Sequence, residues 1–105
     1  QYPLLMVTEF PAPLSALSTI KSEDPRVSER FEVYINGIEL CNCFNELTDL
    51  SEQKKRFTQQ AKEKKDAYGY ELPEPKKFYQ ALEQGLPPSA GIALGVERLL
   101  LSLFK

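Results

Sequence analysis

The groups left to this chain for chemistry are carboxylates, arginine, lysine, tyrosine, thiols and the backbone, and the spacing of several of them brings them together. The sequence contains no histidine, which removes the commonest proton shuttle at neutral pH and the commonest zinc ligand. Glu32 and Glu39 flank Asn36-Gly37, which sits between two runs of alternating polarity. Asn-Gly in that setting is the strongest short hairpin signal, because both central residues of the turn need φ > 0. A two-residue loop pairs Ile35 with Ile38, Tyr34 with Glu39, Val33 with Leu40 and Glu32 with Cys41. Cross-strand partners share a sheet face, so Phe31, Val33, Ile35, Ile38 and Leu40 are expected to form a core face. Glu32, Tyr34 and Glu39 then share the other. Diagonal neighbours lie roughly 7–8 Å apart, within reach of one metal. Hard oxygen ligands on a rigid sheet suit Mg²⁺, completed by substrate phosphates. A solvated polar sheet face is the other reading this geometry leaves open.

Asn42, Phe44 and Glu46 point together by strand parity. In an unbroken strand they would join the core face, where an unpaired Asn or Glu costs several kcal/mol. Either this stretch peels away from the sheet, or a β-bulge near Cys41 switches the parity. With the switch, Glu32, Glu39, Asn42, Phe44 and Glu46 line one cavity. A carboxylate beside an aromatic ring and an amide suits a ligand bearing an ammonium group.

Further along, small residues recur at Ser89, Ala90, Gly91, Ala93 and Gly95. They leave room for something flat against a strand, or serve close packing of a helix on it. Arg98 follows in the first turn of the next helix, with a guanidinium fork suited to phosphate and a plane suited to a base. Residues 51–66 carry six basic and three acidic side chains. This reads as a solvated helix face, with an RNA-facing surface as the sharper alternative.

These residues need elements to hold them. Leu4–Phe10 reads as a strand stopped by Pro11 and Pro13. Residues 11–27 read as an irregular connection with an apolar patch at Leu14, Leu17 and Ile20. Strands are expected over 29–35 and 38–47. A helix follows from Asp49 to Gly69, with a narrow apolar stripe of Leu50, Phe57, Ala61 and Tyr68. A second helix fits 75–84, with Phe78 and Leu82 on one face. Ser89–Leu94 reads as a strand, and a last helix begins near Gly95 or Val96. Strands joined by a hairpin, with flanking helices, predict an α+β fold with a mainly antiparallel sheet.

The chain has 105 residues, a formal net charge of −2, 42% hydrophobic and 27% charged residues. That is ordinary globular composition for one domain, and the charge excludes a strongly basic nucleic-acid module. Cys41 and Cys43 are too few for a zinc site and too close for a good disulfide. They favour a reducing, cytoplasmic setting. No stretch approaches the ~18 apolar residues of a membrane span.

Taken in order, these segments resemble the C-terminal part of a class II aminoacyl-tRNA synthetase catalytic domain of the lysyl type. The resemblance rests on Glu29-Arg30-Phe31-Glu32, Gly37-Ile38-Glu39-Leu40, Asn42-x-Phe44-x-Glu46-Leu47-x-Asp49, Gln53 and Arg56-Phe57. It ends on Pro87-Pro88-Ser89-Ala90-Gly91-Ile92-Ala93-Leu94-Gly95-Val96-Glu97-Arg98-Leu99, which looks like motif 3 of that class. The resemblance implies an ATP-dependent ligase that forms an acyl-adenylate. It implies that Glu32 and Glu39 hold ATP through Mg²⁺, and that Arg98 is the catalytic motif 3 arginine, with Gly95 beside the nucleotide. Asn42, Phe44, Glu46, Gly91 and Ala93 would bind a lysine-like substrate, with Glu46 pairing an ammonium group. Ala93, where lysyl-tRNA synthetases usually have Gly, resembles the branch that attaches β-lysine to elongation factor P. The alternatives are the branch that charges tRNA and a non-catalytic binding module derived from the same fold. Cys43 departs from the family, which usually has Gly there, and is expected either to be tolerated or to narrow the pocket. Motifs 1 and 2 have no counterpart in residues 1–105. The chain is therefore expected to be a C-terminal fragment of a catalytic domain, inactive alone, whose parent is a homodimer.

Overall fold

Asn36 and Gly37 both adopt positive φ, 49° and 80°. They close the hairpin between β2 (Arg30–Ile35) and β3 (Ile38–Asn45). A computed structural model describes residues 3–104, which divide into two compact units. Among the described residues, the first comprises 3–46 and 89–104. In it, β1 (Leu4–Thr8) pairs with β2, and β4 (Ala90–Leu94) pairs with β3. Every pairing is antiparallel and the strand order is β1-β2-β3-β4.

The two hairpin pairs nearest the turn, Ile35–Ile38 and Tyr34–Glu39, match the expected register. The next two do not. Val33 pairs with Cys41 and Glu32 with Asn42, because the register shifts between Val33 and Tyr34. Leu40 is the extra residue of a β-bulge, one position before Cys41. The bulge keeps Leu40 on the apolar side, where it lines a cavity of about 330 Å³ with Ile35, Ile38, Leu101 and Phe104. Beyond it, every side chain of β3 is inverted relative to the unbroken register.

The connection from 11 to 27 is irregular but ordered by backbone bridges, Pro11 to Val27 and Ile20 to Ser28. A 3₁₀ turn occupies Ala12–Leu14. Ser18 and Ser28 are fully buried. Their hydroxyls donate to the carbonyls of Ser15 (2.6 Å) and Phe10 (3.0 Å), so neither polar group is buried unpaired. Leu14 and Leu17, expected as part of an apolar patch, are exposed. The helix after β4, here α3, spans Val96–Leu103.

The second unit comprises residues 47–88. Its first helix, α1 (Leu50–Tyr68), begins at Asp49, whose carboxylate accepts from the Glu52 backbone N–H at 3.1 Å. A hydrogen bond from the Ser51 hydroxyl first, and then that from the Glu52 N–H, hold the Asp49 carboxyl below its ordinary pKa. Gly69 closes the helix, its N–H donating to the Lys65 carbonyl at 2.8 Å. The helix α2 spans Lys76–Gln84. Two packing expectations fail here. Tyr68 is 71% exposed and stacks on Tyr70 instead of continuing the apolar stripe. On α2 the buried aromatic is Tyr79, not Phe78, because Tyr79 meets the edge of Phe57 at 6.3 Å. Lys54 lies over the same Tyr79 ring at 5.4 Å.

The whole is α+β with one antiparallel sheet, as its alternation of hairpin and helices predicts. Among the described residues, no helix is long and apolar enough to cross a membrane.

Candidate functional site

The bulge at Leu40 decides which side chains meet. β2 sends Arg30, Glu32 and Tyr34 to one face, and their partners on β3 are Phe44, Asn42 and Glu39. On β4 the same face receives Gly91, opposite Phe44, and Ala93, opposite Asn42. Glu32, Glu39, Asn42, Phe44, Gly91 and Ala93 therefore share one face of the sheet. Cys41 and Cys43 pair with Val33 and Phe31 on the other face. The Cys43 thiol thus points away from Asn42 and Phe44, and the expectation that it narrows the pocket is not met. Both cysteines are free.

Glu32 is only 6% exposed. Burial of a carboxylate demands partners, and it has two. Arg30 Nη2 donates to its Oε1 at 2.6 Å, and the Tyr34 hydroxyl donates to its Oε2. The Tyr34 hydroxyl has its pKa raised, first by that hydrogen bond and then by burial and by the nearby charge of Glu32. Arg30 is one member of the face to which the sequence reading gave no role. Its Nε donates to Asn42 Oδ1 at 3.2 Å and its Nη1 to the Leu14 carbonyl at 2.5 Å. The parity of 30, 32 and 34 was the available signal.

At the other end of the face, α3 delivers Arg98. Gly95 caps that helix and its N–H donates to the Leu40 carbonyl at 2.9 Å, tying the helix start to the bulge. Arg98 Nη1 reaches the Glu39 carbonyl at 2.7 Å and Glu39 Oε2 at 3.2 Å. A Cβ at position 95 would lie 3.2 Å from Arg98 Cδ, so glycine lets the arginine stem pass close to the backbone. Both partners of the Arg98–Glu39 pair are substantially exposed, so the pair itself adds little stability. It is a contact that an anion or cation can open.

Glu46 extends past the end of β3, and its backbone N–H donates to the Ser89 carbonyl at 2.9 Å. Its carboxylate lies over Gly91, where a Cβ would fall 2.5 Å from Oε1. Glycine at 91 is thus explained by the close approach of Glu46. Of the three carboxylates predicted for the site, Glu32 is neutralised by Arg30 and Glu39 by Arg98. Glu46 has no ion pair among the described residues.

Among the described residues there is no cluster of three or more His, Cys, Asp or Glu side chains of the kind that encloses a metal. Two carboxylates on one face, each with lone pairs beyond those engaged by Arg or Tyr, fit Mg²⁺ only when phosphate oxygens complete its shell. The donor set is compatible with a nucleotide-borne ion and not with a protein-only cage.

Comparison with known proteins gives a consistent outcome. The family model described as tRNA synthetases class II (D, K and N) matches residues 1–105. Three curated relatives are each named "Elongation factor P--(R)-beta-lysine ligase". The one from Edwardsiella ictaluri is 46% identical over 97 residues, covering 92% of this chain and 30% of the relative. That from Buchnera aphidicola is 47% identical over 104 residues, covering 96% and 31%. That from Hamiltonella defensa is 48% identical over 100 residues, covering 92% and 30%. The chain therefore spans about 30% of the length of the curated relatives it matches.

Proposed function

The chain belongs to the class II tRNA synthetases of the D, K and N type, and we propose that it forms the motif 3 part of an ATP-dependent ligase that activates lysine or β-lysine. The product would be an acyl-adenylate, passed on to a lysine of elongation factor P. The observation that carries this reading is the charge arrangement of the face. Glu32 and Glu39 each have an arginine, whereas among the described residues the Glu46 carboxylate has no ion pair. A half-buried carboxylate held beside Phe44 and Asn42 is matched by a ligand that brings an ammonium group on an aliphatic stem. The name of the relatives supplies β-lysine and elongation factor P, and with them the choice of acceptor.

In this reading each side chain has a task. Glu46 pairs with the substrate ammonium. The Asn42 amide and the Phe44 ring orient the remainder of the amino acid. Small residues at Gly91 and Ala93 leave the floor of the pocket open. Arg98 is the catalytic arginine: it leaves Glu39 for the nucleotide phosphates, where a guanidinium fork binds oxygens in pairs. Glu32 and Glu39 would hold Mg²⁺ with the nucleotide, and the ion would supply neutralisation of phosphate charge. The substrate carboxylate attacks the α-phosphate in line, forming the acyl–phosphate bond as pyrophosphate leaves. That step needs positioning and charge neutralisation and no protein base, which suits a sequence without histidine. The ligase would work in the cytoplasm, and as a homodimer.

The test is ATP–pyrophosphate exchange by the full-length protein that carries this chain, with lysine and with (R)-β-lysine, followed by transfer of the label. Exchange that depends on either amino acid, with label moving to elongation factor P, is the expected result. Absence of exchange with both overturns the proposal. Label moving to tRNA instead assigns the tRNA-charging branch.

A further inference from the structure

We infer that Arg30 is a positioning residue of this site, and that its guanidinium holds Glu32, Asn42 and Phe44 in the arrangement that substrate meets. The inference rests on the reading of the face proposed above. Arg30 has three hydrogen bonds in three directions: to Glu32 Oε1 at 2.6 Å, to Asn42 Oδ1 at 3.2 Å and to the Leu14 carbonyl at 2.5 Å. Its guanidinium carbon also lies 4.3 Å from the centroid of Phe10 and 5.4 Å from that of Phe44. The side chain is 16% exposed. Phe10 and Leu14 come from the connection after β1, whereas Glu32, Asn42 and Phe44 come from the sheet face. Arg30 therefore fastens the face to an element outside the sheet.

The chemistry makes the orientation of Asn42 a consequence. Arginine has donors and no acceptor, so Asn42 must turn its Oδ1 toward Arg30. Its amide NH₂ is left as the end available to a ligand, which defines it as a donor to a carboxylate or carbonyl oxygen. The same guanidinium plane limits the tilt of the Phe44 ring. Lysine can donate to one of these partners but cannot hold Glu32, Asn42 and the Leu14 carbonyl together or stack on Phe44, because a point charge on a flexible stem has neither the fork nor the plane.

The test uses Arg30→Lys in the full-length protein and two independent readouts. The first is a crystal structure of the variant. The expected result is that the Asn42 amide and the Phe44 ring take new or multiple conformers; an unchanged arrangement of Glu32, Asn42 and Phe44 overturns the inference. The second is amino-acid-dependent ATP–pyrophosphate exchange. A positioning role raises KM for the amino acid about tenfold or more, since hydrogen bonds to charged groups are involved. A merely structural role lowers the active fraction, and so kcat, with KM unchanged, and this outcome also overturns the inference. Should Arg30→Lys fail to fold, Phe10→Leu removes one side of the stack while keeping the buried ion pair, and is read in the same two ways. If the unaltered protein shows no exchange, the proposed function fails, and the crystal structures still decide the role of Arg30.

Discussion

At the level of single residues, the site is governed by which carboxylates are already neutralised. Glu32 is buried and can be so only because Arg30 and Tyr34 satisfy it. Glu39 is exposed and shares Arg98 in a contact that solvent weakens. Glu46 has no ion pair among the described residues and owes its position to the missing side chain at Gly91. This makes Gly91 a sharp probe of the substrate reading. Alanine there places a Cβ 2.5 Å from Glu46 Oε1, and the far end of a flexible side chain yields before the backbone does. Gly91→Ala is therefore expected to leave folding nearly intact and to displace the Glu46 carboxylate. Amino-acid KM in the exchange assay should rise about tenfold or more, the worth of a charge-assisted hydrogen bond, while KM for ATP changes little. A rise in both constants together, or a large fall in thermal midpoint with neither constant changed, contradicts that account.

At the level of elements, one inserted residue sets the identity of the face. Without Leu40 as the bulge, Asn42 and Phe44 would be directed to the side of Phe31 and Val33, and Cys41 and Cys43 to the side of Glu32. Deleting Leu40, by contrast, should leave Val33 opposite Cys41 and Glu32 opposite Asn42 in a ladder without a bulge, so the face keeps its members while the apolar side loses one side chain. The deletion variant is expected to fold with a lowered thermal midpoint and to keep amino-acid and ATP binding by calorimetry. Loss of both ligands in a folded variant would show that the bulge does more than decide which side chains share the face. Much of this was legible in the sequence. Asn36-Gly37 marked the turn and its first two pairs, and the cost of burying Asn42 and Glu46 left two arrangements, a strand that peels away or a bulge near Cys41, of which the structure has the bulge. The exact residue was not legible, since Leu40 suits either an unbroken core strand or a bulge that still faces the core. The place of Arg30 on the face was legible from its parity with Glu32 and Tyr34, but its role was not. Its role depends on Phe10 and Leu14, which belong to a connection with no periodicity to place them against the sheet. On α2 the choice between Phe78 and Tyr79 turned on Phe57 in another helix, a contact beyond the reach of a single-helix pattern.

At the level of the whole molecule, the balance between exposed apolar surface and buried core is unusual for an independent domain. Among the described residues the only buried apolar side chains are Cys41, Tyr79 and Leu82, whereas Leu4, Met6, Ile92, Val96, Leu101, Leu103 and Phe104 are each more than half exposed, Phe104 at 86%. Burying such a side chain is worth about 1.5–3 kcal/mol, so this surface is a strong drive toward contact. The strands β1 and β4 are also the outer strands of the sheet, and outer strands carry unpaired backbone groups. The curated relatives are roughly three times as long as the segment matched, and we propose that in the longer protein further chain covers this surface. Prepared by itself, the 105-residue chain is then expected to self-associate. Sedimentation velocity should show a weight-average mass that rises with concentration, and Leu101→Glu combined with Phe104→Glu should return it toward that of the monomer. These two positions lie on α3 and on the residue that ends it, away from Glu32, Asn42 and Glu46, so the double variant should leave the sheet face undisturbed. A chain that stays monomeric at all concentrations would mean that the exposed apolar side chains rearrange to cover one another, and would remove this surface as a place for further chain to pack.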